Sequence, residues 1–431
     1  MNTSEYFALK RGAKIISDEV GILSHVSKLP RYQADPRSMT FGVWPANTKA
    51  LGGTKYSGRS SGSGRNWIDS MLGTVGETIE RYCCAFYDRS KLIKSSYKDL
   101  DRPAIHPSEF ALYHQKQYEN INFPYIPFTE DVSIHWTPCI DLTNNTEVLY
   151  PGSMVFLPWI EEEDWVGLSI STGLAAHTDV HSAMLTALYE IIERDAFTIA
   201  WSQLLDVPKI KITPEIQRYI DEALPGNYEI HFLDVTTDLN VPSIFAFCYG
   251  QADYGSFLAV SSATRPTFGE TLRKIVQELS QTIPYFRYVL GENWDWYPHT
   301  YDQLQDFEQH SILYNKRKDL RVVFEPWRNK PAEKYIDFHE TNSETKVEQI
   351  RSILQNFKDR GYNVLMKDLT TPDAQQAGFY SLRLAVPQTI EMAGAYGEYF
   401  WGGKRMYEAP KNMGYTPRDF DNLNQYPYPF P

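Results

Sequence analysis

Two stretches of the chain carry apolar residues at helical spacing, and they predict its main helices. The first runs from about residue 68 to residue 86, and the second runs from about residue 180 to residue 204, with Thr178 or Asp179 as its cap. A single stripe of this kind predicts that each helix packs against a core. The stripe positions are Met71, Leu72, Val75, Ile79 and Tyr82 in the first helix, and Met184, Ala187, Leu188, Ile191, Ile192 and Phe197 in the second.

Helices and strands alternate along the rest of the chain. Residues 228–250 predict two strands around a turn, and residues 267–282 predict a third helix. After residue 347 the pattern predicts a helix that stops at Gly361, then a strand, then a second strand in "FYSLRLAVP". Residues 300–345 predict helical connections and loops, whereas residues 1–55 carry no readable motif. This alternation predicts an α/β or α+β fold.

Composition describes an ordinary soluble chain with an acidic balance. Its 431 residues are too many for one simple core and predict two or three subdomains. The net charge of −12 argues against a nucleic-acid partner, although a metal ion could still screen these acids from a phosphate ligand. Aromatic residues make up 14% of the chain, which suits either a ligand groove or plain core packing.

The cysteine pattern and the N-terminus both predict a cytoplasmic protein. Cys83, Cys84, Cys139 and Cys248 form no Cys-x-x-Cys pair, so a zinc site of the usual spacing is not expected and a reducing compartment fits. We read Cys83 and Cys84 as packed thiols on a helix. The first twenty residues hold no apolar run suited to export, and no stretch is long enough to span a membrane.

One acidic pattern occurs on both main helices. Glu-x-x-Glu-Arg is formed by Glu77, Glu80 and Arg81 on the first helix, and by Glu190, Glu193 and Arg194 on the second. Residues three apart share a helix face, so the acids of each pair point the same way. Either each helix has a solvated charged face with local ion pairs, or the acids are buried and hold a divalent cation such as Mg²⁺. A di-iron site is disfavoured because neither motif supplies Glu-x-x-His.

A Gly/Ser segment from Tyr56 to Trp67 precedes the first helix. Backbone N–H groups of a loop at a helix start are natural phosphate donors, so the segment is a candidate phosphate loop. It is not a Walker sequence, and a flexible linker explains the same composition. A further acidic candidate is the third helix, where Glu278 and Gln281 also lie three apart.

Taken in order, these motifs resemble the YcaO family over roughly residues 55–431. The set comprises the Gly/Ser segment, "GETIERY", "STGLAAHTDVHSAMLTALYEIIERDAF", "LRKIVQELSQ", "KDLTTPDAQQAGFYSLRLAVP" and "NQYPYPFP". The resemblance implies the YcaO fold, with mixed sheets packed with helices around a central cleft for ATP and Mg²⁺. It also implies an N-terminal segment over residues 1–55, integral or facing a partner, a catalytic domain over 56–420 and a Pro-rich tail over 421–431.

The resemblance assigns roles to individual residues. It implies metal ligation by Glu77, Glu80, Glu190 and Glu193. It implies ATP binding by Ser61, Gly62, Ser63, Gly64, Arg65, Arg81, Ser171, Thr172, Arg194, Glu278 and Gln281. The sequence departs from the family where Gly62-Ser63-Gly64 replaces Gly-Lys-Gly, where Ser171-Thr172-Gly173 replaces Ser-Asn-Gly, and where Gly73 replaces a serine. The phosphate contacts expected of the loop residues therefore rest on a weaker match to the family than the metal ligation expected of the glutamates.

The last residues narrow the class of enzyme. Pro427, Pro429 and Pro431 form Pro-x-Pro-x-Pro, whose fixed φ angles favour a stiff extended peptide. Read alone, such a tail is a candidate for disorder. Within the family it resembles the azoline-forming cyclodehydratases, in which the stiff tail delivers the terminal carboxylate, here that of Pro431, to the active site as a general base.

The resemblance therefore implies ATP-dependent cyclodehydration of Cys, Ser or Thr in a ribosomal precursor peptide to thiazoline or oxazoline. The side chain attacks the preceding carbonyl, the resulting oxyanion is phosphorylated by ATP, and phosphate then leaves. Two alternatives remain. One is a family member that makes a thioamide or an amidine, and the other is a scaffold subunit that has lost turnover.

Partners follow from the same resemblance. Only some 55 residues precede the Gly/Ser segment, fewer than the leader-binding region of fused cyclodehydratases needs. We therefore expect a separate leader-binding protein related to ubiquitin-activating enzymes, and a homodimer or hetero-oligomer. The resemblance also implies a flavin azoline dehydrogenase as a further candidate partner. The chain has no Gly-x-Gly-x-x-Gly, so it is not expected to hold a flavin by that motif itself.

Overall fold

The computed structural model describes residues 3–33, 35–56, 58–168 and 170–430. Pro431 and Ser57, which belong to the predicted tail and the predicted Gly/Ser loop, lie outside the described residues. The strands are β1 Leu23–Lys28, β2 Met39–Pro45, β3 Ser60–Gly64, β4 Ile93–Ser96, β5 Ser133–Asp141, β6 Thr146–Pro151, β7 Leu174–His177, β8 Glu229–Asp234, β9 Ser243–Ala252, β10 Gly255–Thr264, β11 Leu365–Asp368 and β12 Tyr380–Ala385. The α-helices are α1 Thr3–Gly12, α2 Trp67–Cys83, α3 Gln115–Tyr118, α4 Val180–Ser202, α5 Pro214–Ala223, α6 Phe268–Glu292, α7 Phe307–Lys316, α8 Glu325–Arg328, α9 Lys346–Asp359, α10 Pro372–Ala377 and α11 Arg405–Asn412.

The chain divides into two compact units that do not follow its linear order. Unit one comprises the residues up to Leu29, then Met39–Ile191 and Glu344–Glu391. Unit two comprises Pro30–Ser38, Ile192–Ser343 and the residues from Met392 onward. Each unit combines sheets with helices, which confirms the predicted mixed α/β class.

Unit one contains two sheets. The smaller is the antiparallel sheet β1-β2-β3, and the larger has the strand order β4-β5-β11-β12-β7, with β6 paired to β5. Helix α2 is fastened to the small sheet by hydroxyl groups: Ser70 donates to the Met39 carbonyl at 2.6 Å and Thr74 donates to the Phe41 carbonyl at 3.2 Å. The same helix contacts β7 and β12 of the large sheet.

The prediction of a loop over the Gly/Ser segment was wrong for residues 60–64, which form strand β3. This strand pairs with β2 from Gly64 opposite Met39 to Ser60 opposite Val43. Glycine makes the strand possible because α2 lies directly against it. A Cβ on Gly62 would lie 2.5 Å from the Ser70 carbonyl oxygen and closer still to the Thr74 nitrogen. The composition that resembled a flexible linker is therefore a packing requirement.

Unit two is organised around the antiparallel sheet β10-β9-β8. One face of this sheet packs on α5 and α6 through a large apolar cluster that includes Phe232, Phe257, Ile275 and Leu279. The opposite face carries aromatic residues: the ring of Phe245 lies 5.0 Å from that of Phe197 in α4. Both faces of the sheet are therefore buried.

Helix α6 continues to Glu292, well beyond its predicted end at residue 282. The prediction stopped early because Pro284, which lies in the helix interior, usually ends a helix. Proline cannot donate to the carbonyl four residues earlier, which belongs to Ser280. The hydroxyl group of Ser38 donates to that carbonyl instead, at 3.0 Å. Ile283, directly before the proline, and Phe286 and Val289, beyond it, are buried in the core, and this burial offsets the lost hydrogen bond.

Four further predictions concern the helix starts, the cysteines, the N-terminal segment and membrane spans. Helices α2 and α4 begin within one residue of their predicted starts, and Asp179 caps α4 by accepting from the Ser182 N–H at 2.9 Å. All four cysteines are buried free thiols. Residues 1–55, which carried no readable motif, contain α1, β1 and β2. In the part of the chain that the structure describes, no helix has both the length and the apolar character that a membrane crossing needs.

The close approach of β3 to α2 gives the first testable prediction. Replacing Gly62 with Ala should lower the free energy of unfolding by about 1–3 kcal/mol, because backbone on both sides must move to admit the methyl group. Urea unfolding measures the change. Gly291→Ala is the matched control, since its Cβ would meet nothing within 4 Å and alanine favours a helix interior. Equal stability of Gly62→Ala and the wild type would contradict the packing.

Candidate active site

Helix α2 carries the first acidic pair of the candidate site into a partly buried setting. Asn66 caps the helix by accepting from the N–H groups of Ile68 and Asp69. Three turns later, Glu77 accepts from the Ser61 N–H of β3 at 3.2 Å. The Glu80 and Arg81 side chains form an ion pair at 3.7 Å and are only 16% and 21% exposed. A solvated charged face, the simpler alternative for this helix, does not describe these side chains.

The second acidic pair begins with Glu190, which is held by the turn before β7. Gly173 adopts φ +79° and donates its N–H to Glu190 Oε2 at 3.0 Å. A Cβ at this position would overlap the carbonyl oxygen of Leu384, so the turn requires glycine on both counts. Thr172 beside it is buried, and its hydroxyl has no hydrogen-bond partner among the described residues. That hydroxyl is available to a ligand.

Electrostatics show that unit one brings three of the predicted acids together. Burial raises the pKa of Glu80 to about 8; Arg81 works in the other direction, while Glu190 and Glu77 add to the increase. Burial opposes the charged form of Arg81, yet Glu80 and Glu77 raise its pKa above the usual range. The buried Arg383 also acts to lower the pKa of Glu80, so two arginines face three carboxylates and the cluster keeps an excess of negative charge.

This excess of negative charge fits a divalent cation, which prefers carboxylate oxygens and would offset their repulsion. Glu77 and Glu190 accept from backbone N–H groups, and Glu80 is paired with Arg81. Among the described residues, no three acidic, histidine or cysteine side chains are gathered into a preformed metal cage. The donor set and its charge fit Mg²⁺, and the predicted metal ligation itself stays a prediction.

Unit two holds the remaining predicted acids through consecutive serines of the edge strand β10. Ser262 donates to Glu193 Oε1 at 2.8 Å, and Ser261 donates to Glu278 Oε2 at 2.7 Å. Neighbouring residues of a strand point to opposite faces, so these two acids are bound from opposite faces of β10. Lys274 also pairs with Glu278, at 3.1 Å. The sequence offered no signal for either serine.

The other predicted binding residues have diverse surroundings. Arg194 Nη1 lies 3.0 Å from Met392 Sδ, and Ser63 accepts from the Thr40 hydroxyl at 3.3 Å. Arg65 is exposed at the end of β3, whereas Ser171 and Gln281 are half-buried.

An ion cluster beside Arg194 was missed by sequence reasoning. Arg405 of α11 makes a bidentate contact with Asp195 of α4, with Nη2 to Oδ2 at 2.6 Å, and reaches Asp238 at 3.0 Å. Arg405 and Asp195 are completely buried. Removing one member of such a cluster usually costs about 3–5 kcal/mol, so the cluster fixes α11 to the helix that carries Glu193. Only the Asp that follows Glu-x-x-Glu-Arg hinted at it.

The described part of the Pro-rich tail is ordered and buried within unit two. Tyr428 and Phe430 are 1% and 8% exposed. The ring of Phe430 packs edge-on against Phe197, at a centroid distance of 4.4 Å. Phe197 follows Glu193 by one helical turn, so the last described residue lies close to a predicted metal ligand. The alternative of a disordered tail does not describe residues 424–430.

Comparisons with known proteins place the chain in a family. A family model described as YcaO cyclodehydratase, ATP- and Mg²⁺-binding, matches residues 61–390. The chain therefore belongs to the YcaO family, whose members bind ATP and Mg²⁺. A comparison with curated proteins returned no match.

Solved structures with similar folds are all distant in sequence. A heterocyclase in complex with substrate and cofactor is 20% identical with a TM-score of 0.79, and the match covers 99% of this chain and 57% of that one. The heterocyclase TruD is 19% identical with a TM-score of 0.64, covering 84% of this chain and 50% of that one. The E. coli microcin synthetase McbBCD complex contains a chain 15% identical with a TM-score of 0.64, covering 94% and 96%. Our chain thus spans between half and three fifths of the first two, and these likenesses confirm the YcaO fold.

His310, whose ring contacts the Tyr428 carbonyl of the tail, generates a prediction about the pH dependence of stability. His310 is buried, and this burial lowers its pKa from 6.5 to about 4, although the Tyr428 carbonyl and Asp306 act in the opposite direction. Between these two values the unfolded chain binds the proton and the folded chain does not, so stability falls as pH drops from 6.5 towards 4. The loss should reach roughly 3 kcal/mol.

Urea unfolding of the wild type and of His310→Asn at a series of pH values measures this loss. Asparagine keeps a donor for the Tyr428 carbonyl but does not titrate, so its stability curve should be flatter between pH 6.5 and 4. Identical slopes for the two proteins would contradict a neutral, buried His310.

Proposed function

We propose that this protein is an ATP-dependent peptide cyclodehydratase that converts Cys, Ser or Thr residues of a ribosomal precursor peptide into thiazoline or oxazoline rings. The observation that carries the proposal is the buried Pro-rich tail of a YcaO chain, with Phe430 packed one turn from Glu193. The tail is the feature that the azoline-forming members share. As the family resemblance implies, members that form a thioamide or an amidine commonly lack this tail.

The proposed reaction moves the amide oxygen onto phosphate. The side-chain sulfur or oxygen attacks the preceding carbonyl and loses its proton, and the oxyanion that forms takes the γ-phosphoryl group of ATP. The C–O bond then breaks as the ring nitrogen gives up its proton and completes the C=N bond. Ring, ADP and phosphate are the products, and the mass of one water leaves the peptide for each ring.

We propose that Glu77, Glu80, Glu190 and Glu193 ligate Mg²⁺, which when bound would neutralise charge on the transferring phosphoryl group. Arg81 and Arg194 supply fixed positive charge for the phosphates, and the Thr172 hydroxyl donates to the nucleotide. Glu278 and Gln281 take part in ATP binding, as the family resemblance implies. The Ser61 N–H is already engaged by Glu77, so the role of residues 61–65 includes positioning this carboxylate.

A general base must remove a proton during ring formation. We propose that the Pro431 carboxylate serves this role, with Pro427 and Pro429 stiffening the approach to it. A desolvated setting would raise the pKa of this carboxylate towards a useful value. The preceding residue, Phe430, is buried among the rings of Phe197 and Phe245.

We further propose that the protein works in the cytoplasm as part of a multi-protein assembly. The precursor peptide would be delivered by a leader-binding protein related to ubiquitin-activating enzymes, with a flavin azoline dehydrogenase as a further member. The similarity to almost the full length of a chain in a synthetase complex supports this arrangement. Buried free thiols suit a reducing compartment.

Neutralising the proposed metal ligands should abolish turnover. We expect Glu80→Gln and Glu193→Gln to lower phosphate release at least about 100-fold, because each removes one carboxylate ligand of the proposed Mg²⁺ and so weakens the positive charge placed on the phosphoryl group. The assay combines the protein, its partner, a precursor peptide and ATP, with mass spectrometry of the peptide. Circular dichroism checks the fold, and Glu163→Gln, on an exposed acid, is the matched control.

Three outcomes of this assay separate the alternatives. Loss of water with phosphate release fits cyclodehydration or amidine formation, and fragmentation of the product that places the loss at a Cys, Ser or Thr residue supports cyclodehydration. A gain in peptide mass would indicate a thioamide. A scaffold would give neither change. Full activity of Glu80→Gln or Glu193→Gln would remove these acids from the metal site.

The terminal carboxylate can be tested without disturbing the buried tail. Appending one glycine after Pro431 displaces the carboxylate by one residue and keeps every described contact. We expect unchanged affinity for ATP and at least a 100-fold slower ring formation, since misplacement by about 1 Å can cost this much. A ring yield equal to that of the wild type would exclude the Pro431 carboxylate as the base.

A further inference from the structure

The Pro-rich tail cannot be held as an ordinary strand would be. Proline has no backbone N–H, so alternate residues of Pro-x-Pro-x-Pro offer only their carbonyl oxygens. The tail must therefore be held largely through its carbonyl oxygens, by donors from other parts of the protein.

Three consecutive carbonyls of the tail accept from such donors. The indole N–H of Trp201 donates to the Tyr426 carbonyl at 3.0 Å, and the Tyr314 hydroxyl donates to the Pro427 carbonyl at 2.6 Å. His310 Nδ1 lies 3.0 Å from the Tyr428 carbonyl. Since a carbonyl only accepts, Nδ1 carries the proton of this imidazole.

The donors come from rigid and buried positions. Trp201, Tyr314 and His310 are each at most 1% exposed. Tyr314 follows His310 by four residues on α7, so both project from one helix face towards the tail. Trp201 lies near the end of α4, eight residues after Glu193. Each donor group belongs to a side chain built on an aromatic ring, so few side-chain torsions must be fixed to hold it in place.

Asn424, which precedes the three carbonyls, also hydrogen-bonds the tail to helix α4. The Asn424 N–H donates to the Ser202 carbonyl at 2.8 Å, and its side-chain amide donates to the Trp201 carbonyl at 3.1 Å. The tail is thus tied to the end of α4 before it reaches the three ring donors. Beyond them, Phe430 packs against Phe197 of the same helix.

We propose that Trp201, Tyr314 and His310 form a carbonyl clamp that sets where the tail ends relative to Glu193, and so act as positioning residues for the general base. This inference rests on the proposed role of the Pro431 carboxylate. The clamp residues act on the reaction only through the backbone of the tail.

The test deletes donors and leaves ring shape intact. Tyr314→Phe should lower the kcat of ring formation about 10-fold, and Tyr314→Phe combined with His310→Phe should lower it about 100-fold, because the carboxylate loses its fixed position. The KM for the precursor peptide and the affinity for a non-hydrolysable ATP analogue should stay within about twofold of the wild type. His310→Asn, which keeps a donor, should retain more activity than His310→Phe.

Tyr254→Phe is the matched control, because Tyr254 also donates its hydroxyl to a buried backbone carbonyl, that of Ile283 at 2.7 Å, away from the tail. Thermal unfolding of every variant shows that the assays use folded protein. An unchanged kcat in the Tyr314→Phe, His310→Phe double variant overturns the clamp, as does an equal loss in Tyr254→Phe.

The appended-glycine protein separates this inference from the proposed function. If that protein forms rings at the wild-type rate, the carboxylate role and the clamp are both overturned. If it forms none while the double variant remains fully active, only the clamp is overturned.

Discussion

Three carboxylates of unit one share a partly buried region with too little positive charge to balance them. Glu80 shows the consequence, because burial and the neighbouring Glu190 and Glu77 together keep its pKa far above the ordinary value despite Arg81. An arrangement of this kind costs stability unless something else supplies charge. A cation bound at the proposed ligands would resolve the conflict, and the chain belongs to a family that binds ATP and Mg²⁺.

Local structure is arranged to hold these acids in place. The Ser61 N–H fixes Glu77, and β3 can reach α2 only because Gly62 has no side chain. The Gly173 N–H fixes Glu190, and its left-handed conformation beside Leu384 again requires glycine. Sites that must hold like charges together depend on such backbone contacts, because backbone groups cannot rotate away.

The sequence predicted the elements that have a strong apolar period and missed those that depend on distant contacts. Helices α2 and α4 follow their stripes, and the acids on them are partly buried, which was one of the two alternatives that the sequence left open. Strand β3 could not be distinguished from a linker by its sequence. Gly62 is needed there because helix α2 packs directly against the strand, and this contact cannot be read from the local sequence. Pro284 concealed the second half of α6, since its replacement donor, Ser38, lies more than two hundred residues away in the chain. The Arg405 cluster and the side chains that donate to the tail were not predicted either, because they too depend on contacts between residues far apart in the sequence.

The central claim is that the acidic cluster exists to bind a nucleotide together with Mg²⁺, and calorimetric titration with a non-hydrolysable ATP analogue tests it most directly. The account predicts saturable binding that requires Mg²⁺ and weakens at least about 100-fold in Glu190→Gln, a loss of about 2.7 kcal/mol. Equal affinity without Mg²⁺, or in the variant, would contradict it.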